Sequence, residues 1–136
     1  MYLLDTNVIS ETRKPQPSAA VMRWLEANDD LLYLSVISLG EIRMGIDRLA
    51  EGARRRALEG WLTGLQERFE AAIISFDRKA ALAWGTLEAK LAKDGRPIPT
   101  VDAQLAASAL ANDMVLITRD TSHFEPTAVL LKNPWD

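Results

Sequence analysis

Tyr2-Leu3-Leu4-Asp5-Thr6-Asn7-Val8-Ile9-Ser10-Glu11 is the stretch that decides the architecture. A brief apolar run stops at an acid, and Thr6-Asn7 then offers cap chemistry for a short helix through Glu11. A strand that passes directly into a helix is the building unit of a parallel α/β fold. The same alternation recurs downstream. Leu31 to Ser35 reads as a second strand, and Ser38 opens a helix in which Ile42, Ile46 and Leu49 recur at i, i+4 and i+7. Ala71 to Ser75 reads as a third strand. Asp77 is placed to cap a helix running to about Lys93, which Gly95 stops. Val115 to Thr118 is the clearest strand, and Ala128 to Leu131 reads as a last one.

Helices fill the intervals. Pro15 and Pro17 break the first one, and Ala19 to Ala27 carries helical spacing through Val21, Met22, Trp24 and Leu25. Gly52 separates the helix after the second strand from another over about Ala53 to Phe69. Pro99-Thr100 starts an alanine-rich helix over about Val101 to Ala111. The whole reads as an α/β three-layer sandwich, a mostly parallel central sheet flanked by helices, in a single domain over residues 1–136. No repeat, low-complexity tract or linker divides it.

Composition excludes several classes. There is no cysteine, so neither a disulfide framework nor a thiolate metal site is available. Met1-Tyr2-Leu3-Leu4-Asp5 has no basic segment before its apolar residues and makes a poor secretory signal. No apolar run approaches the roughly 18 residues a membrane helix needs. A soluble, cytoplasmic protein with no membrane partner is the expectation. The formal net charge is −3, which argues against a polyanionic partner only if every acid is free. Of 19 acids against 16 Lys+Arg, setting four aside for metal leaves 15, a remainder of about +1. Basic residues cluster at Arg13-Lys14, Arg54-Arg55-Arg56 and Arg78-Lys79, each readable as a solvated helix face.

Four acids stand where such a fold places chemistry. Ligands of parallel sheets bind beyond the carboxyl ends of the strands. Asp5 ends the first strand, Asp120 lies just past the strand ending at Thr118, and Glu41 is expected in the first turn of the helix after the second strand. Asp102 is expected in the first turn of the alanine-rich helix, and nothing in the spacing alone brings it to the others. Each also has a plainer explanation. Asp5 and Asp120 suit helix caps or turns; Ser38-Leu39-Gly40-Glu41 fits a capping box; and Asp102 complements a helix dipole. Grouped together, the four would repel one another unless a cation compensates. Oxygen donors without cysteine select Mg²⁺ or Mn²⁺ over Zn²⁺. The single His123 is too little for a zinc site and reads as a turn or packing residue.

The motifs Leu3-Leu4-Asp5-Thr6-Asn7-Val8-Ile9-Ser10-Glu11, Ser38-Leu39-Gly40-Glu41-Ile42-Arg43-Met44-Gly45, Pro99-Thr100-Val101-Asp102-Ala103-Gln104-Leu105-Ala106 and Val115-Leu116-Ile117-Thr118-Arg119-Asp120 together resemble the PIN-domain nucleases. The resemblance is specifically to VapC and FitB-like toxins of bacterial toxin–antitoxin pairs, and it spans essentially the whole chain in order. It implies a PIN-like fold and a Mg²⁺- or Mn²⁺-dependent endoribonuclease that hydrolyses RNA phosphodiester bonds. On that model Asp5 and Asp102 are direct metal ligands, and Glu41 and Asp120 complete the catalytic acidic pocket. Thr6 and Ser38 orient carboxylates or water, Asn7 assists substrate binding, and Thr118 supports the site. One departure is Asp120, where many relatives carry Asn; this leaves the ligand count open. The resemblance further implies a small cognate antitoxin lying in an apolar groove, a homodimer or dimer of dimers, and contact with DNA only through the antitoxin. Trp24, Trp61, Trp84 and Trp135 are candidates for that groove, for the dimer surface or for the core.

Other readings remain. One is a weakly catalytic or non-catalytic regulatory partner of a DNA-binding antitoxin. Another is a phosphatase with Asp5 as nucleophile, disfavoured because position 7 is Asn rather than the second acid of Asp-x-Asp. No Gly-x-x-x-x-Gly-Lys segment supports a P-loop NTPase.

Overall fold

The computed structural model describes residues 1–136. Five short strands form one parallel sheet: β1 (Tyr2–Leu4), β2 (Leu32–Ser35), β3 (Ile73–Ile74), β4 (Val115–Ile117) and β5 (Leu131–Lys132), in the order β3-β2-β1-β4-β5. The expected mostly parallel sheet is therefore parallel throughout. Seven α-helices connect and cover it: α1 (Thr6–Glu11), α2 (Ala19–Ala27), α3 (Val36–Asp47), α4 (Ala53–Arg68), α5 (Arg78–Lys93), α6 (Thr100–Ala111) and α7 (Thr121–Phe124).

Alternation along the central strands divides the core in two. Leu3 and Leu116 point to one face, where Leu87 and Leu91 of α5 and the buried alanines of α6 pack. Leu4 and Ile117 point to the other, against Val8, Ile9, Val21, Leu25, Ile42 and Leu62 from α1 to α4. Strands buried on both faces account for uninterrupted apolar runs such as Val115-Leu116-Ile117. Small side chains at Ala103, Ala106, Ala107, Ala109 and Ala111 are all buried and let α6 pack closely between its neighbours.

The chain lays β1, β2 and β3 outward in one direction, then crosses back to place β4 on the other side of β1. The gap between β1 and β4 is thus the topological switch point. Crevices at such points, at the carboxyl ends of the strands, are where open parallel sheets bind ligands.

Three element starts differ from the sequence expectation by two residues or more, each for a local reason. Helix α3 begins at Val36, not Ser38, because Ser35 ends β2 and caps the helix itself, its Oγ accepting from the Ile37 N–H at 3.0 Å. The Ser38–Glu41 capping box therefore does not form, and Glu41 stands in the second turn. Strand β3 is only Ile73–Ile74, since Glu70–Ala72 coil into a 3₁₀ turn. Strand β5 starts at Leu131 rather than Ala128, because Ala128 takes a left-handed conformation (φ 60°) that closes the 3₁₀ turn Glu125–Thr127. No helix is long and apolar enough to cross a membrane.

Candidate active site

The switch point is built around Asp5. The register sets Leu4 beside Ile117, so the residues that follow each strand, Asp5 and Thr118, emerge together. The Asp5 N–H donates to the Ile117 carbonyl at 2.9 Å. Its carboxylate accepts from the Thr6 N–H at 2.7 Å and from Thr118 Oγ1 at 2.8 Å. Asp5 is therefore the cap of α1, as its plainer reading holds, and also a fixed carboxylate at the sheet edge. Only 7% of its surface is exposed. Burial pushes its carboxyl up from the usual 3.8 to about 6, against the lowering effect of the Thr118 and Thr6 hydrogen bonds. Repulsion from Asp102 and Glu41 raises it further. Those two acids, from α6 and α3, thus face Asp5 closely enough to act on its charge.

Glu41 is positioned across the fold, since Thr6 Oγ1 donates to its Oε1 at 2.8 Å. That contact, not a cap, occupies its carboxylate. Asp102 sits in the first turn of α6, as expected, and its Oδ2 lies 2.8 Å from His123 Nε2. Sequence reasoning assigned His123 to a turn or packing role. It packs edge-on against Phe124, 5.3 Å between ring centroids, but its ring nitrogen also reaches a candidate ligand. The only advance signal was its place three residues after Asp120, on the short helix that continues from the β4 edge.

Asp120 stands at the side of the group rather than in it. Its Oδ2 accepts from Asn7 Nδ2 at 3.1 Å, and its N–H donates to Thr118 Oγ1 at 3.1 Å. Although it occupies the cap position of α7, its side chain makes no cap bond. Ser38 is fully buried on α3, one turn before Glu41, and its Oγ has no hydrogen-bond partner. An unpaired buried hydroxyl is costly and marks a place where a water or a reoriented carboxylate completes the network.

The donor set fits a hard divalent cation in kind: carboxylate oxygens, no sulfur, and a buried carboxyl whose charge two neighbouring acids oppose. In number it is not pre-assembled, because no three acidic or histidine side chains are gathered tightly enough to enclose an ion. Thr6 engages one oxygen of Glu41 and His123 one oxygen of Asp102, which leaves the other oxygen of each carboxylate for an ion. His123 then acts as a support that fixes the far oxygen of Asp102. Partners of this kind commonly contribute tenfold or more to metal affinity. His123→Ala is expected to weaken Mn²⁺ binding about tenfold, measured by calorimetry, with an unchanged fold by circular dichroism.

A second hollow of about 360 Å³ lies on the other side of α1. Leu4, Ile9, Met22, Leu25, Leu65 and Phe69 line it, with Glu26, Asp29 and Arg68 among its polar residues. None of the tryptophans contributes to it. All four are half-buried against the core instead, Trp84 on the α5–α6 side and Trp24, Trp61 and Trp135 on the other.

The PIN domain family model matches residues 2–129. The chain belongs to the PIN-domain family. Among individual relatives it is 41% identical to the plasmid stability protein StbB of Pseudomonas syringae pv. tomato, covering 100% of this chain and 99% of that protein. It is 36% identical to the VapC ribonuclease Y4jK of Sinorhizobium fredii, with the same coverage. To the toxin FitB of Neisseria gonorrhoeae it is 35% identical, over 99% of each chain. The structure of FitAB bound to the IR36 DNA fragment superimposes with a TM-score of 0.90 at 34% identity, covering 100% of this chain and 96% of that one. The PIN-like sandwich expected from the motifs is the fold observed.

Proposed function

We propose that this chain is a divalent-metal-dependent endoribonuclease and the toxin of a toxin–antitoxin pair. The observation that carries the reading is the buried Asp5 carboxyl at the switch point, raised by burial and opposed by Glu41 and Asp102. Mg²⁺ or Mn²⁺ held by Asp5 and Asp102, with Glu41 and Asp120 completing the pocket, would supply charge neutralisation on a scissile phosphate and activation of a water. The chain's own residues do the positioning. Thr118 and the Thr6 N–H fix both oxygens of Asp5, Thr6 Oγ1 aims Glu41, and Asn7 holds Asp120. RNA as the substrate rests on the resemblance and on the ribonuclease name of Y4jK. An antitoxin partner rests on the toxin name of FitB, and DNA contact made through that partner on the DNA-bound FitAB complex. The apolar hollow lined by Ile9, Met22, Leu25 and Phe69 suits a segment of that antitoxin. A homodimer or dimer of dimers acting in the cytoplasm completes the proposal.

A competing reading, a docking partner without catalysis, draws on the dispersed acids. Both readings predict a complex; only the first predicts cutting. Purified protein incubated with RNA and with DNA is expected to cleave RNA in Mg²⁺ or Mn²⁺ and neither substrate in chelator. Cleavage that persists in chelator removes the metal mechanism, and no cleavage in either metal favours the docking partner.

A further inference from the structure

A pocket of about 220 Å³ that includes Glu41 opens between α1, α3 and α4. Its floor is apolar, formed by Ile42, Ile46 and Leu58, and Arg13 and Arg54 border it. Both arginines are exposed and neither makes an ion pair, whereas Arg43 and Arg55 nearby are tied to Asp47 and Glu59. The Arg13 guanidinium lies 5.8 Å from the centre of the Trp61 ring, which holds it over the pocket while leaving its N–H edges free. The basic clusters Arg13-Lys14 and Arg54-Arg55-Arg56 are thereby sorted. Lys14 and Arg55 pair with carboxylates, and Arg13 and Arg54 face an apolar slot next to an acid of the site.

We propose that this pocket seats one nucleotide of single-stranded RNA adjacent to the scissile phosphate, its base on the apolar floor and its phosphate on Arg13 and Arg54. The proposal rests on the ribonuclease reading of the neighbouring acids. Single-stranded RNA is recognised by accepting unstacked bases on apolar or guanidinium surfaces and by planar guanidinium contacts to phosphate. The slot offers both at one end of the acidic group. A basic rim favours an anionic occupant here, whereas the larger hollow across α1 is mostly apolar, with its Asp29 already paired to Arg68.

Gly45 makes the pocket testable. It lines the slot from the middle of α3, and a Cβ built on it meets nothing within 4 Å. A helix interior disfavours glycine, so Gly45→Leu fills the slot while favouring the helix. Binding of a fluorescein-labelled single-stranded RNA is measured by anisotropy in chelator, where no cleavage intervenes. Gly45→Leu is expected to melt no lower than the parent and to bind RNA about tenfold more weakly. Arg13→Gln/Arg54→Gln is expected to bind about tenfold more weakly at low salt. Its log Kd should depend less steeply on log[salt], by about 0.7 for each phosphate that the arginines no longer neutralise. RNA affinity equal to the parent in both variants overturns the assignment, whether or not they weaken a protein partner. Loss of RNA affinity in both upholds it even if the parent proves unable to cut, an outcome that would remove only the ribonuclease reading.

Discussion

Asp5→Asn is expected to yield a protein that is more stable than its parent without metal at pH 7 and that cuts roughly a thousandfold more slowly. The folded state holds the Asp5 carboxyl at about 6 against an ordinary 3.8. A carboxyl raised in this way favours the folded state fully only below the unfolded value, and that contribution is lost as pH rises through the folded value. At pH 7 the parent therefore carries a penalty of about 3 kcal/mol for an ionised, buried Asp5. Asparagine carries no charge, and its Oδ1 still accepts from the Thr6 N–H. Its Nδ2 meets Thr118 Oγ1, however, which already accepts from the Asp120 N–H. That mismatch costs about 1 kcal/mol, so the net gain is about 2 kcal/mol. It should grow between pH 4 and pH 6, level off above that, and be absent near pH 4, read by urea melts in chelator across that range. Cleavage moves the other way. Removing one anionic ligand forfeits several kcal/mol of charge stabilisation, or roughly a thousandfold in single-turnover rate at 1.36 kcal/mol per decade. A variant less stable than its parent at pH 7, or one that cuts at the parent's rate, contradicts the role given to Asp5.

The parts of the site that were legible in sequence are those fixed by strand ends. Asp5 follows an apolar run directly and Asp120 lies three residues past one, and a parallel sheet has one carboxyl edge, so spacing alone places both there. Glu41 is placed at that edge by its position after the second strand, and the structure moves it from the first turn of the helix to the second and removes the capping box offered as its plainer role. Ser35 and Ser38 are both competent caps and both fully buried, but Ser35 ends β2 and it is its Oγ that accepts from the Ile37 N–H. A two-residue shift of a helix start turns Glu41 from a cap partner into a group free to accept from Thr6. Asp102 could not be located by pattern at all, since it follows a helix and loop. Its approach to Asp5 depends on how α6 packs between α5, α3 and the sheet, a three-dimensional fact that alanine content only hints at. His123 was passed over because a lone histidine carries no periodic signal. The motif resemblance supplied what spacing lacked for Asp102, but it offered nothing for His123, for the free edges of Arg13, or for the open side of Gly45.

Metal binding is expected to weaken about tenfold for each pH unit below 6. A ligand carboxylate must be ionised to bind, so below its folded pKa the cation has to displace the Asp5 proton. The same proton relieves the metal-free protein, since the charge that would oppose Asp102 and Glu41 is then gone. Low pH thus stabilises the empty site and disfavours the filled one. In thermal melts at pH 7.5, saturating Mn²⁺ should add about 2.7 kcal/mol when present at a hundred times its Kd. At the same Mn²⁺ concentration at pH 5, where Kd is about tenfold weaker, the gain should fall to about half of that. Asp5→Asn separates this from a general effect of acid, because its response to Mn²⁺ should be small and nearly flat between the two pH values. A parent whose stabilisation by Mn²⁺ does not change from pH 7.5 to pH 5 would mean that the ion is held without Asp5. The carboxylates that remain, Asp102, Glu41 and Asp120, are more exposed than the buried Asp5 and would then carry the ion without it.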